Sequence, residues 1–315
     1  MPRAMHRPTR IIGTRGSALA LWQAHHVRDL LTAAGYPVEI RTITTKGDRI
    51  LDVPLAEIGS KALFTKELDE ALLRGEIHLA VHSLKDLPTA LPEGLCLAAI
   101  TERADPRDAF IAHPSVAGGL ADLPEGATLA TSSLRRRAQL KAWRPDLTIV
   151  PVRGNVDTRL ARLDAGTWHG MILATAGVVR LERTDRIRER IDPVLMLPAV
   201  GQGALGVVCA ADDEATRALL RRHLHHEPTA AATLAERALL RRLEGGCQVP
   251  IGALGRLREG RLELEGCVAS LDGDRLLRDR LTGTPEEPES LGGALAERLL
   301  AAGAGALLDE IRAGS

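Results

Sequence analysis

The sequence predicts an α/β protein: two α/β regions built on parallel sheets, then a small α+β region with a three-stranded antiparallel sheet. Three observations predict it. Through the first two hundred residues, short apolar strands alternate with segments of helical spacing, the pattern of parallel strands joined by crossover helices. Beyond residue 225 the pattern changes to one helix, three strands with short polar connections and another helix. The length of 315 residues exceeds one ordinary domain and suffices for a core without disulfide staples.

In chain order, Ile11 to Thr14 reads as a strand, and Ser17 caps a helix that runs to about Ala34 with Leu19, Val27, Leu30 and Leu31 on its apolar side. Val38 to Thr44 alternates as a strand, Leu63 to Arg74 has helical spacing, and Ile77 to Ser83 is strand again. The same pairing recurs at Thr128–Thr131 with Leu134–Ala142, at Thr148–Val152 with Val156–Ala165, and at Met171–Ala174 with a helix near Val178. Pro193 to Ala211 carries no charge, but Pro198, Gly201, Gly203 and Gly206 would break a spanning helix, so two buried strands with a glycine-rich turn are expected there. A helix at Thr229–Leu243, strands at Ile251–Leu257, Arg261–Ala269 and Arg275–Leu281, and a helix from Ser290 to Ala301 complete the reading.

Lysine plus arginine number 41 and aspartate plus glutamate 41. A net charge of zero excludes whole-molecule attraction to nucleic acid, so anion binding must come from local clusters. With aromatics at 2%, a base-stacking platform is unexpected. Cys96, Cys209, Cys247 and Cys267 form no C-x-x-C pair, so no metal site or disulfide framework is expected. The basic start is followed by no apolar stretch of signal-peptide length, and a cytoplasmic setting is expected.

Polar and cationic residues gather just after predicted strands: Arg15 and Ser17; Ser83, Lys85 and Asp86; Thr131, Ser132, Ser133, Arg135 and Arg136; Arg153 and Asn155. Ligands of open α/β sheets bind outside the carboxyl ends of strands, where helix N-termini present unpaired N–H groups. Any one loop alone reads sooner as helix capping with solvated arginines; four together point to one cleft for a multiply anionic ligand. Asp86, beside Lys85, is either a turn residue before Pro88 or a carboxylate that stabilises a cation and passes a proton. Cys247 follows Gly245-Gly246 and precedes Pro250, a loop on which a thiol can serve as an attachment point, with Arg241 and Arg242 favouring its thiolate. The other three cysteines sit in apolar strand patterns and read as core.

Seven ordered segments together resemble the porphobilinogen deaminase (hydroxymethylbilane synthase) family: Gly13–Ala24, His82–Pro88, Asp105–Phe110, Thr131–Arg136, Arg153–Val156, Leu197–Gly203 and Leu243–Pro250. The resemblance implies two halves like a type II periplasmic binding protein, residues 1–104 with 201–224 and residues 105–200, and a third domain of residues 225–315 bearing the cysteine loop. It implies a cytoplasmic monomer that joins four porphobilinogen molecules head to tail with loss of ammonia, through a cationic azafulvene, before water frees the linear product. It implies a dipyrromethane cofactor held by a thioether to Cys247, and Asp86 as the catalytic carboxylate. Each pyrrole bears an acetate and a propionate, which explains a demand for forked cationic donors. By motif match Lys61, Arg159 and Arg180 join the strand-end residues above as binders of these acids, with no metal. Ser60-Lys61-Ala62 departs from the family's more usual Gly-Lys-Gly, and Leu84 from its methionine. A non-catalytic binding protein of similar fold would need neither Asp86 nor the cysteine loop, and a cysteine hydrolase would want a histidine near Cys247.

Overall fold

The computed structural model describes residues 8–45, 65–166, 168–243 and 249–313. Its contacts divide the described residues into two units, residues 8–45 with 65–102 and 204–227, and residues 103–203 with 228–313 as far as they are described.

The first unit holds a five-stranded sheet. β1 (Arg10–Thr14), β2 (Val38–Thr42) and β3 (Leu79–Ser83) are parallel, and β10 (Leu205–Ala210) runs antiparallel between β3 and β4 (Leu95–Ile100). Strand alternation sends Ile12, Leu79 and Val81 to a face shared with Ala24, Val27 and Leu31 of α1 (Ala18–Ala33) and Leu219, Leu220 and Leu224 of α6 (Glu214–Leu224). The i, i+3, i+7 spacing of Ala24, Val27 and Leu31 keeps them on one helix stripe. Truncating Leu31 there would cost about 2–5 kcal/mol. The opposite face receives α2 (Lys66–Leu73), whose Leu68, Ala71 and Leu72 are buried. Close approach explains Gly13: a Cβ on it would lie 2.2 Å from Ile77 Cδ1 and 3.0 Å from Leu68 Cδ2.

The second unit repeats the plan. β6 (Thr128–Ala130), β7 (Thr148–Val150) and β8 (Gly170–Ala174) are parallel, and β5 (Asp108–Ala112) lies antiparallel between β8 and the short β9 (Glu189–Arg190). Both faces are covered: Phe110, Leu129 and Ile172 pack with Leu140 of α3 (Leu134–Trp143), while Ala109, Ile111, Met171 and Leu173 pack with Leu160 and Leu163 of α4 (Val156–Ala165). α5 (Thr175–Arg180) adds Val178 to the latter side. Further along, β11 (Ile251–Arg258), β12 (Arg261–Ala269) and β13 (Leu276–Gly283) form the antiparallel meander. Its inner face packs on α7 (Glu227–Arg242), α8 (Pro288–Ala301) and α9 (Ala304–Ala313) through Leu239, Leu262, Leu264, Leu295 and Leu307.

The uncharged run from Pro193 forms one strand, β10, where two were expected. Prolines 193 and 198 lack ladder donors, and the backbone between them is satisfied locally, Leu195 N (2.9 Å) and Met196 N (3.0 Å) donating to Asp192 O, and by side chains. Leu197 N donates to Gln139 Oε1 (2.8 Å), and Leu197 O accepts from Arg135 Nη1 (2.7 Å) and Gln139 Nε2 (3.0 Å). At the end of the run Gly203 has φ +94°, and a Cβ there would meet Ala104 O at 2.6 Å. Nearby, the wholly buried Glu236 accepts from Arg103 Nη1 (2.6 Å), Arg103 Nη2 (3.2 Å), Gly201 N (2.7 Å) and Gly255 N (2.7 Å), so all its charge is compensated inside the second unit.

Two expectations follow. Glu236→Gln leaves Arg103 without a counter-charge and should lower stability by about 3 kcal/mol in denaturant unfolding followed in the second unit; an unchanged midpoint contradicts the role given to Glu236. His82 of β3 is fully buried, and burial, with the charge of Arg15, pushes its imidazole from 6.5 down to about 4. Because the folded pKa lies below the unfolded one, the unfolded chain takes up the proton first, and stability present above pH 6.5 is lost as pH falls toward 4. Wild type should therefore lose more unfolding free energy between pH 7 and pH 4.5 than His82→Gln does; parallel losses contradict this.

Candidate active site

In the first unit, β1 and β3 end side by side, and the residues after them converge. Arg15 and Ser17 follow β1, and Ser17 Oγ caps α1 by accepting from Ala20 N (3.3 Å). β3 ends at Ser83, and Leu84–Asp86 form a single 3-10 turn that carries Lys85 and Asp86 outward. These two ends, with Thr65 and Leu68 from the start of α2, line an open cavity of about 460 Å³ whose wall includes Arg15, Ser17, Gln23, His82, Ser83 and Asp86. Gln23 Nε2 donates to Ser83 Oγ at 2.7 Å, which leaves the Ser83 hydroxyl proton for an acceptor in the cavity. His82 Nε2 has no hydrogen-bond partner among the described residues. Held neutral, it adds no cation to the wall, whose positive charge comes from Arg15. Asp86 stands exposed at the rim and Lys85 half-buried beside it.

In the second unit, the loops after β6 and β7 are tied together by Ser132, whose Oγ donates to Val152 O (2.7 Å) and accepts from Val152 N (2.9 Å). Buried Thr131 accepts from Ser133 N at 3.3 Å. Ser133 Oγ caps α3 through Arg136 N (3.4 Å), and Asn155 Oδ1 caps α4 through Thr158 N (2.8 Å). Arg135 and Arg136, in the first turn of α3, point inward and share Asp108. Burial alone would raise the Asp108 pKa, but the two guanidiniums hold it well below the usual carboxylate range. Arg159 Nε donates to Gly154 O (2.8 Å). Arg153 Nη2 is buried with no hydrogen-bond partner among the described residues. Arg180 Nη2 donates to Gly203 O (2.7 Å), and burial pulls its guanidinium down to about 10.

Of the residues singled out from sequence, Arg15, Ser17, Ser83 and Asp86 thus share one cavity, and Thr131, Ser132, Ser133, Arg153 and Asn155 belong to two joined loops of the other unit. Lys61 and Cys247 lie outside the described residues. Cys209 and Cys267 are buried in β10 and β12, and Cys96 is half-buried in β4. Gln23, Asp108 and Gln202 received no role from sequence. The signal for Asp108 was a charged residue opening an otherwise apolar strand, Asp-Ala-Phe-Ile-Ala; for Gln23, nothing distinguishes it from a solvated helix residue.

A family model described as porphobilinogen deaminase, dipyromethane cofactor binding domain, matches residues 11–218, and one described as porphobilinogen deaminase, C-terminal domain, matches residues 230–301. The porphobilinogen deaminase of Desulforudis audaxviator is 56% identical over 309 residues, covering 97% of this chain and 98% of its own. That of Synechococcus elongatus is 55% identical over 309 residues, covering 97% and 96%. Solved structures give a more distant likeness: a nutrient-binding protein from Burkholderia cenocepacia bound to methionine aligns over 68% of this chain and 91% of its own, at 12% identity and a TM-score of 0.43. Matched along nearly its whole length by relatives more than half identical, the chain belongs to the porphobilinogen deaminase family.

Proposed function

We propose that Asp86 is the catalytic carboxylate of this enzyme, that Cys247 is the attachment point of its dipyrromethane cofactor, and that the strand-end loops bind the acid side chains of cofactor and substrate. The reaction of the family is the stepwise head-to-tail condensation of four porphobilinogen molecules with release of ammonia, then hydrolysis to linear hydroxymethylbilane. The observation that carries the assignment of Asp86 is its position: an exposed carboxylate at the rim of a cavity whose wall presents Arg15 and Ser83.

The residues fit a ligand with several carboxylates. Arg153 Nη2 is a buried cationic donor with no partner among the described residues, a costly arrangement that an anion would relieve. The helix caps serve twice. Ser17, Ser133 and Asn155 use side-chain oxygens to accept from helix N–H groups, which leaves their own hydroxyl and amide protons to donate to a carboxylate. Arg15, Ser17, Ser83 and Lys85 would hold acid groups on the first unit, and Lys61 would share that role. Thr131, Ser133, Arg135, Arg136, Arg153, Asn155, Arg159 and Arg180 would hold them on the second, while Ser132, expected from sequence to bind an acid, gives its hydroxyl proton to Val152 O and would hold the two loops in place instead. The dipyrromethane supplies the pyrrole carbon to which the first substrate is joined. Asp86 would accept the pyrrole N–H of the substrate, stabilise the positive charge that develops as ammonia leaves, and take up the proton released on bond formation. His82, neutral at working pH, leaves that carboxylate's charge to the substrate cation.

The same reading takes residues 1–104 with 201–224, 105–200 and 225–315 as three domains, each with its own sheet, and the enzyme as a cytoplasmic monomer acting on a small molecule, with neither nucleic acid nor a membrane as partner. Among the described residues no single helix is long and apolar enough to cross a membrane.

Two measurements test this. The purified protein should be heavier than its polypeptide by two pyrrole units, and Cys247→Ser should abolish the increment; an increment that survives the substitution refutes the attachment point. Asp86→Asn should keep the increment and lose at least a hundredfold in turnover, whereas near-wild-type turnover would remove Asp86 from the mechanism.

A further inference from the structure

Asp108 opens β5 with its side chain wholly buried. Its Oδ2 accepts from Arg135 Nη1 at 2.7 Å, and its Oδ1 accepts from Arg136 Nε (3.0 Å), Arg136 Nη2 (2.8 Å) and Gln202 Nε2 (2.9 Å). Each arginine has a second anchor on a carbonyl, Arg135 Nη1 on Leu197 O (2.7 Å) and Arg136 Nη1 on Ile172 O (2.9 Å). Gln202 is fixed in turn on Pro106 O at 2.8 Å.

Two features of this cluster exceed what stability requires. One carboxylate faces two guanidiniums, so the cluster carries one uncompensated positive charge inside the protein, where such a charge is expensive. The anchoring is also one-sided. Arg135 is held by Nη1 alone, and its Nε and Nη2 have no hydrogen-bond partner among the described residues. A purely structural ion pair would be neutral and closed; this one is cationic and open on one edge.

We propose that Asp108 is a positioning residue of the enzyme: it aligns Arg135 and Arg136 as one receptor and sets its charge to accept a single ligand carboxylate. This rests on the reading of the two arginines as carboxylate binders given above. Asp108 touches no reacting atom and acts through Arg135 and Arg136. The receptor's selectivity follows from geometry. With Nε and Nη2 of Arg136 committed to Asp108, Nη1 of Arg136 to Ile172 O and Nη1 of Arg135 to Asp108 and Leu197 O, the Nε–Nη2 edge of Arg135 is left, a two-donor edge that fits the two oxygens of a planar acid. An asparagine at 108 keeps one acceptor but turns an N–H₂ toward one guanidinium, a donor–donor contact that displaces an arginine. A lysine at 136 keeps the charge but cannot grip Asp108 through two nitrogens and Ile172 O through a third, so it would not hold Asp108 in line with Arg135.

The test reads the fraction of purified protein that carries the two-pyrrole mass increment, together with KM and kcat for porphobilinogen on the loaded fraction. Folding is checked by circular dichroism. Asp108→Asn should lower loading or raise KM by at least tenfold, and combining it with Arg136→Leu should add nothing beyond Arg136→Leu alone, because Asp108 works through the arginine. Effects of Asp108→Asn and Arg136→Leu that multiply in the double variant overturn the proposal. So does normal loading and KM in Asp108→Asn while Arg136→Leu is impaired. If Arg135→Leu and Arg136→Leu themselves load and turn over as wild type, the carboxylate-binding reading falls and this inference with it. Should Asp108→Asn fail to fold, Arg136→Lys decides: alignment predicts impairment as deep as in Arg136→Leu, and near-wild-type loading overturns it.

Discussion

A chain of zero net charge that holds a ligand bearing many carboxylates cannot rely on its overall field; it has to concentrate cations locally. The cluster at Asp108 is, in the reading proposed above, such a concentration. Two arginines are drawn into the interior of the second unit by one shared carboxylate, two backbone carbonyls and a fixed glutamine. The residual positive charge is kept where water cannot screen it, so a ligand carboxylate that reaches it meets a stronger field than a surface arginine would present. Glu236 is the contrasting case in the same unit. Its carboxylate is spent on Arg103 and two backbone N–H groups, its donors and acceptors balance, and its contribution is to the fold.

The site residues are placed by ordinary features of α/β architecture. Parallel strands end in loops that lead into helices, and a helix needs acceptors for its first N–H groups. Ser17, Ser133 and Asn155 meet that need with an oxygen and keep a donor in reserve. Capping and anion binding are therefore one arrangement viewed from two sides, which is why a loop read alone from sequence leaves the choice open. Gln23 adds an instance of control at one remove: by donating to Ser83 it directs that hydroxyl's proton away from α1.

The alternation of strands and helices, the cap residues and the C-terminal meander were legible because each depends on short-range spacing. β5 and β10 were less so. Asp108 hides the first behind a charge, and the second lies at the end of an uncharged run whose earlier half bonds to the Asp192 carbonyl and, at Leu197, to the side chains of Arg135 and Gln139 instead of to a ladder. The pairing of β10 between β3 and β4 joins residues more than a hundred positions apart, and no local pattern encodes it. For the site, residue types and loops were readable. What could not be read was which donors are committed: that Ser132 is fully used in joining two loops, that Arg135 and Arg136 converge on one acid, and that Arg153 keeps a buried donor unfilled depend on distances across the fold.

The central claim is that buried, pre-aligned guanidinium edges receive the acid side chains of a sulfur-tethered pyrrole pair. A crystal structure of the cofactor-loaded enzyme tests it most directly. The account predicts one carboxylate within about 3 Å of the free edge of Arg135, with Asp108 still bound to both arginines. Pyrrole acids directed to bulk solvent, with water along that edge, would contradict it.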